Sequence, residues 1–157
     1  MGGHRSHTKH RPTKEEFYPA TWVVTGDFNV MGAFSGVDID AADEAGYANC
    51  YVPRDFDSLE EIDVVFIARA TATPMYMRVT TDYAKNGEAY LNSADAGDFG
   101  INVVLNNLYE MSINTAVDFT SLEAGDYIGI SVSRVAALPT ENTDILFLGV
   151  RIKYKQR

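Results

Sequence analysis

The stretch TDILFLGVRIKYKQR, residues 143–157, places the strongest constraint on the fold. Its even positions from Leu146 to Tyr154 are all apolar, whereas its odd positions change from apolar to cationic after Gly149. Alternate residues of a strand face opposite sides of a sheet, so this pattern predicts a strand with one face buried throughout. The residues expected to face the core are Leu146, Leu148, Val150 and Ile152. The expected cationic row on the other face is Arg151, Lys153, Lys155 and Arg157.

Similar short apolar runs recur along the chain, bounded by Gly, Asp, Asn or Pro. Residues 61–71 have a continuous apolar centre, which is typical of a strand covered on both faces. Residues 125–135 alternate cleanly, and Asn-Gly at 86–87 predicts a turn. Residues 56–62 and 101–108 are also compatible with a short helix. About eight such strands predict an all-β fold, an antiparallel β-sandwich or jelly roll.

Charge is distributed unevenly along the 157 residues, a length that suits one domain. Residues 1–14 carry four cations and no acid, and residues 151–157 carry another four cations. The other five cations and all 22 acids lie within residues 15–150, which gives this body a charge of -17. Residues 1–16 also lack any large apolar side chain after Met1, so we predict an extended basic arm there and a β-sandwich domain over residues 17–157.

The sequence offers few groups for catalysis. The three histidines, at positions 4, 7 and 10, lie in the predicted arm, so a Ser-His-Asp or Cys-His site cannot form in the body. The phosphate-binding, dinucleotide-binding and metalloprotease motifs do not occur. We therefore expect no enzyme, no catalytic residues and no cofactor, although the many acids leave a carboxylate pair open. The single cysteine, Cys50, is expected to be a buried apolar residue.

Two metal-binding alternatives remain open from the sequence. Asp38, Asp40, Asp43 and Glu44 lie close together, but they do not meet the EF-hand pattern. A solvated acidic loop is the main interpretation, and a Ca²⁺ site is the alternative. The three arm histidines recur every third residue and would line one edge of a polyproline II helix, where Zn²⁺ or Ni²⁺ could bind. Our expectation is that the protein has no metal site.

The basic ends of the chain suggest contacts with other protein surfaces. An acidic body attracts basic segments of a neighbouring copy and repels nucleic acid, so nucleic acid is not an expected partner. The start of the chain lacks the apolar segment of a signal peptide, and there is no run of 18 apolar residues for a membrane span. The residues predicted to bind a partner are Arg5, Lys9, Arg11, Lys14, Phe17, Tyr18, Arg151, Lys153 and Lys155. A simpler alternative is that the terminal cations pair with acids on an adjacent strand and protect the sheet from aggregation.

The ending TDILFLGVRIKYK, preceded by FTSLEAGDYIGISVSR and YMRVTTDYAKNGEAYLN, resembles small β-sandwich proteins encoded among the structural genes of tailed phages. The resemblance covers about residues 60–155. It implies a non-enzymatic virion protein, made in the host cytoplasm, of the head-decoration or cement type. The partners it implies are copies of the chain itself, as a trimer, and a major capsid or other virion protein.

The alternative to a decoration protein is a carbohydrate- or receptor-binding module of a tail or fibre. β-Sandwiches present aromatic side chains to sugars, and the candidates in this sequence are Tyr47, Tyr51, Tyr76, Tyr83, Tyr90 and Tyr109. Solvent exposure of three coplanar aromatic rings beside polar groups would favour sugar binding, whereas their burial would favour a purely structural domain.

Overall fold

The computed structural model describes residues 11–91, 93–115, 117–135 and 142–157, which form two antiparallel β-sheets packed as a sandwich. The strands of the described residues are β1 (Thr13–Pro19), β2 (Trp22–Val24), β3 (Phe28–Met31), β4 (Phe34–Ile39), β5 (Ala45–Tyr51), β6 (Phe56–Ala68), β7 (Ala72–Ala84), β8 (Ser93–Val103), β9 (Leu108–Ser112), β10 (Tyr127–Ser133) and β11 (Ile145–Gln156). The predicted all-β sandwich is confirmed. The alternative of a short helix is wrong for both segments, because residues 56–62 belong to β6 and residues 101–103 end β8.

The two sheets share no strand. Sheet A has the order β3-β4-β11-β6-β9, and β1 pairs with β11 further along the same strand. Sheet B has the order β2-β5-β10-β7-β8. The predicted arm boundary at residue 16 falls inside β1, whose residues Thr13 to Glu16 pair with β11. Residues 1–10 lie outside the described part of the chain.

The core between the sheets follows the predicted alternation. In β10, Ile128, Ile130 and Val132 are buried in it, as the period-two pattern of residues 125–135 predicts. The apolar centre of β6 is buried on both faces, because Val64 and Phe66 join the main core while the residues between and after them, Val65 and Ile67, pack on the outer side of sheet A. The prediction of a doubly covered strand is therefore confirmed.

Strand β11 changes face at Gly149, where its register against β6 shifts between Phe147 and Gly149. Before the shift, Leu146 and Leu148 lie in the outer cluster with Val65 and Ile67, whereas after it Val150 and Ile152 lie in the main core. The prediction that these four even-numbered residues share one face is therefore wrong, although all four are buried. A β-bulge adds one residue to a strand and thereby reverses which side chains face the core.

Glycine is the only residue type that fits position 149 of this bulge without rearrangement of the neighbouring strand. Its φ is +153°, a region that side chains with a Cβ rarely adopt. A Cβ placed there would lie 2.2 Å from the carbonyl oxygen of Tyr18 and 2.8 Å from the ring of Phe17, both in β1. The bulge thus lets β1 pass close beside β11 at this point.

Two local predictions are also confirmed. Asn86 and Gly87 form the turn between β7 and β8, with Gly87 at φ +90°. Cys50 is buried in the main core, and burial raises the pKa of its thiol to about 12. A thiol held in its protonated form is a poor nucleophile, so this cysteine serves packing. In the described residues, no helix is long and apolar enough to cross a membrane.

Candidate functional site

The cationic row of β11 lies on the outer face of sheet A and meets acids of its own chain. Arg151 sits between β1 and β6, with its guanidinium 3.5 Å from Glu15, 3.1 Å from Glu61 and 3.0 Å from Glu110, and it also pairs with Asp63. These strands place opposite charges directly across from one another, which stabilises a sheet. This placement matches the simpler alternative that the sequence left open for the row.

Asp63 is the most deeply buried acid of this cluster, at 4% exposure. Burial raises the pKa of its carboxyl, Arg151 opposes that shift, and Glu61 and Glu110 add to it. A buried carboxylate is costly unless a cation and hydrogen bonds compensate it. Arg151 therefore compensates the negative charge of Asp63 and its neighbouring acids on the outer face of sheet A.

The other predicted partner-binding residues also contact their own domain where the structure describes them. Lys153 lies 3.9 Å from Glu61 and Lys155 lies 3.6 Å from Glu60. Lys14 lies 3.1 Å from Asp55, and Arg11 pairs with Asp57. These exposed pairs are weak, each worth about 0–1 kcal/mol, so they do not prevent these cations from binding a partner. Partner binding by these cations stays a prediction. Arg5 and Lys9 lie outside the described residues.

The predicted aromatic anchors Phe17 and Tyr18 point to opposite faces of β1. Tyr18 packs against the main core, and its hydroxyl donates to the carbonyl oxygen of Tyr51 at 2.8 Å. Phe17 is exposed on the outer face, beside Gly149. Of the two rings, Phe17 is the one available to a neighbouring protein.

The acidic loop of Asp38, Asp40, Asp43 and Glu44 is arranged around a cation of its own chain. Arg69 lies 2.5 Å from Asp38 and 3.8 Å from Asp40. Glu44 accepts hydrogen bonds from the backbone amides of Asp40 and Ala41, at 2.7 and 2.9 Å. In the part of the chain that the structure describes, no group of three or more His, Cys, Asp or Glu side chains is placed to hold a metal ion. The His4, His7 and His10 alternative lies outside that part.

A polar groove of about 400 Å³ at one end of the sandwich contains two carboxylates, Asp95 and Asp118. Asp95 accepts hydrogen bonds from the backbone amides of Ala96 and Asp118, each at 2.8 Å. Asp118 accepts from the amide and hydroxyl of Thr120, and these bonds lower the pKa of its carboxyl. Both acids therefore hold the local loops together. That the protein catalyses no reaction stays a prediction.

The hairpin of β3 and β4, residues 28–39, forms one edge of sheet A and is here called the apolar hairpin. Its edge strand β3 contains no charged residue and no proline. Phe28 and Val30 on this strand are 55% and 64% exposed, and Phe34 at the start of β4 is also exposed. Edge strands in soluble proteins usually carry charge or another obstacle to pairing, so an uncharged edge with exposed apolar side chains indicates an interaction surface.

An apolar groove adjoins the tip of the apolar hairpin. It has a volume of about 370 Å³ and lies between the hairpin tip and the outer side of β6 and β9. Its lining includes Met31 and Phe34 from the hairpin, Ile67 from β6 and Leu108 from β9. Met31 also packs against the outer cluster. Met31 and Phe34 thus carry apolar surface onto the outer face of sheet A, whereas Phe28 and Val30 lie on the opposite face of the hairpin, the face of the core residue Val37.

The outward face of sheet B carries a second group of exposed rings, here called the aromatic face: Trp22, Tyr47, Tyr51 and Tyr127. Tyr47 and Tyr51 alternate along β5 with the core residues Ala48 and Cys50, so both point outward. Trp22 pairs with Tyr47, and Tyr127 pairs with Tyr51. Trp22 is 65% exposed and Tyr127 is 62% exposed.

The six tyrosines proposed from the sequence separate into three groups. Tyr47, Tyr51 and Tyr76 point outward from sheet B. Tyr83 is buried, and Tyr109 stacks on Phe66 with ring centroids 5.6 Å apart, so these two belong to the core. Tyr90 is exposed on the loop between β7 and β8. Trp22 and Tyr127 were not among the candidates, although the alternation of β10 already placed Tyr127 opposite Ile128.

Comparison with known proteins gives no family. No family model and no curated protein matches the chain. Among solved structures, the enzymatically active domain of tailspike protein 4 from bacteriophage CBA120 is 14% identical and has a TM-score of 0.35. That match covers 94% of this chain but only 19% of the tailspike chain. The Drosophila melanogaster CENP-C cupin domain is 9% identical, with a TM-score of 0.16 over 84% of this chain and 76% of its own. At these TM-scores the similarities carry no inference about function, and the proposals below rest on the chain's own residues.

Proposed function

We propose that the protein is a non-enzymatic structural protein that assembles with copies of itself through the apolar hairpin. The observation that carries this proposal is the uncharged edge strand β3, whose Phe28 and Val30 side chains are largely exposed. An unpaired edge can add a strand from another chain through backbone hydrogen bonds, and exposed apolar side chains add burial to that contact.

A second copy is the partner that charge favours at this surface. The chain has a net charge of -9, so two copies repel one another over most of their surfaces. The repulsion is weaker along β3 of the apolar hairpin, because Phe28–Met31 carry no charge. The predicted trimer is the smallest ring in which each hairpin is covered by its neighbour, and a two-fold dimer that pairs β3 with β3 is the other simple closed form.

The resemblance to tailed-phage structural proteins supports a finer version of this proposal. In that version the assembled copies decorate a virion and bind a major capsid protein or another virion protein. Exposed Phe17 and the cations of the arm would then contribute to attachment. The alternative, carbohydrate recognition, concerns the aromatic face and is independent of the apolar hairpin.

The self-assembly proposal predicts that Val30→Lys weakens oligomer formation. The lysine ammonium would have to be buried against a neighbour, so we expect the dissociation constant of the oligomer to rise at least about tenfold. Sedimentation equilibrium over a range of protein concentrations measures both mass and affinity. Tyr90→Lys is the matched control, because Tyr90 is 74% exposed on a loop away from the hairpin. A specific complex should have a dissociation constant far below about 100 μM, so wild-type protein that stays monomeric at that concentration would contradict the proposal.

The arm proposal predicts that deleting residues 2–10 weakens assembly or capsid binding and leaves the melting temperature of the domain nearly unchanged. The deletion stops there because Arg11 and Lys14 pair with acids of β6 and its preceding loop, and the Pro12 carbonyl accepts from Gln156 at 3.0 Å. The binding lost by deletion should be largest at low salt, since salt screens exposed charges. Binding assays at low and high salt, together with thermal melts, test this. Equal binding by the full and shortened chains at both salt concentrations would rule out an arm that attaches the protein.

A further inference from the structure

The aromatic face has an amphipathic pattern that the self-assembly proposal does not use. Along β5, outward-facing Tyr47 and Tyr51 are four residues apart, on the order of 13 Å at the rise of a strand. Each tyrosine lies beside an exposed ring of a neighbouring strand: Trp22 of β2 is paired with Tyr47, and Tyr127 of β10 is paired with Tyr51. The Tyr51 and Tyr127 ring centroids are 5.1 Å apart, with their planes tilted by 50°. Two pairs of rings therefore stand at the two ends of a strip.

The strip between the two pairs of rings is one row of residues wide, and small and polar residues lie in that row and beside the pair of Trp22 and Tyr47. Asn49 lies between the two tyrosines on β5, opposite Gly129 of β10, while Ser131 lies opposite Tyr47 and Thr80. A Cβ at Gly129 would have no neighbour closer than 3.8 Å, so the space above this glycine is open. The centre of the strip is therefore a shallow floor between the rings.

The polar side chains of this floor are available to a ligand. Among the described residues, Asn49, Ser131 and Thr80 make no side-chain hydrogen bond within the chain. An amide and two hydroxyls can each donate and accept, which suits ligand hydroxyl groups. Asp82, opposite Gly129 on β7, adds a carboxylate acceptor at the side of the strip.

We propose that the aromatic face binds a neutral oligosaccharide. A sugar ring has an apolar C–H face, which packs on an aromatic ring, and a rim of hydroxyls, which bond to amide and hydroxyl side chains. The centre of a protein–protein interface is instead enriched in continuous apolar surface, and here the two pairs of rings are separated by polar groups. A net charge of -9 and the carboxylate of Asp82 disfavour a nucleic acid or an acidic polysaccharide.

The chain contains its own reporter for this site. Trp22 is its single tryptophan and lies on the aromatic face, so its fluorescence reports on binding there. The full chain would be screened on an array of neutral glycans, and the positive structures titrated while the Trp22 emission is recorded. We expect saturable binding with a dissociation constant of about 0.1–1 mM, as for a shallow and exposed site.

Two substitutions on the face and one away from it make the test specific. Tyr127→Ala and Asn49→Ala should each weaken sugar binding at least about fivefold, which corresponds to the loss of a single contact of about 1 kcal/mol. Tyr90→Ala, which removes an exposed ring from a loop outside the face, should leave sugar binding unchanged. Val30→Lys should also leave it unchanged, which keeps the test of this site separate from the test of self-assembly. An array without a neutral glycan signal, equal affinity in Tyr127→Ala, or Trp22 emission that responds to protein concentration but not to sugar would each overturn the proposal.

Discussion

Arg151→Met should lower the free energy of unfolding by about 3–5 kcal/mol, the usual cost of leaving a buried charge without its partner. The substitution keeps an unbranched apolar side chain but removes the guanidinium that pairs with Asp63, Glu61 and Glu110. Asp63, which is 4% exposed in the wild type, would then lie beside two other acids without a cation to compensate its charge. Urea unfolding at neutral pH measures the change.

The neighbouring Lys153→Met is the matched control. Lys153 stands two residues along the same face of β11 and pairs only loosely with Glu61, at 3.9 Å, so its loss should cost about 0–1 kcal/mol. Adding Asp63→Asn to Arg151→Met should recover much of the lost stability, because the uncompensated charge is then absent. Equal effects of the two Met substitutions would show that Arg151 has no special role.

The destabilisation by Arg151→Met should also depend on pH. Burial raises the pKa of Asp63, and in the wild type Arg151 opposes that shift. A carboxyl whose pKa is raised in the folded state contributes stability below its unfolded pKa and loses it as the pH rises through the folded value. Without Arg151 the pKa should rise further, so the defect should be larger at about pH 7 than at about pH 4. A defect that grows as the pH falls would contradict this assignment.

Gly149→Ala should lower the free energy of unfolding by about 3 kcal/mol or more, because a strained φ and a steric clash act together. The φ of +153° disfavours any Cβ, and the Tyr18 carbonyl oxygen lies 2.2 Å from where that Cβ would be. For a chain of this size, such a change lowers the melting temperature by roughly 6–12 °C.

Gly87→Ala separates the two causes. Gly87 also has a positive φ, +90°, but no atom lies within 4 Å of its would-be Cβ. It should therefore show only the conformational cost, about 1 kcal/mol. Differential scanning calorimetry of the two variants makes the comparison. A Gly149→Ala protein as stable as Gly87→Ala would mean that β1 can move away from the bulge at little cost.

The strands of the core could be predicted from the sequence, because burial imposes a period of two on β10 and a continuous apolar run on β6. The face reversal in β11 could not be predicted. From Ile145 to Leu148 both odd and even positions are apolar, so either register would bury them equally well. The choice is made by the backbone of Gly149, which can form the bulge, and by β1 passing close beside it.

The residues that meet on each surface of the domain are determined by the order of the strands in the sheets, and this order cannot be read from the local sequence. The period of β11 predicted the cationic row, but the partner of Arg151 is Asp63, 88 residues earlier in the chain. Trp22 and Tyr127 meet the other rings only because β5 lies between β2 and β10 in sheet B. The missing charge on β3 is visible in the sequence, but its position at a sheet edge is not.

The central position of β11 in sheet A also determines how the chain must fold. β11 pairs with β1, β4 and β6, and Thr13 lies opposite Lys155, from which it is separated by 142 positions in the sequence. Contacts of such long sequence separation carry a large loop-closure entropy, and proteins dominated by them fold slowly, in milliseconds to seconds. Until β11 has been synthesised, β1, β4 and β6 have no common partner and expose their hydrogen-bonding edges. A nascent or truncated chain that ends before β11 is therefore the form of this protein most open to aggregation.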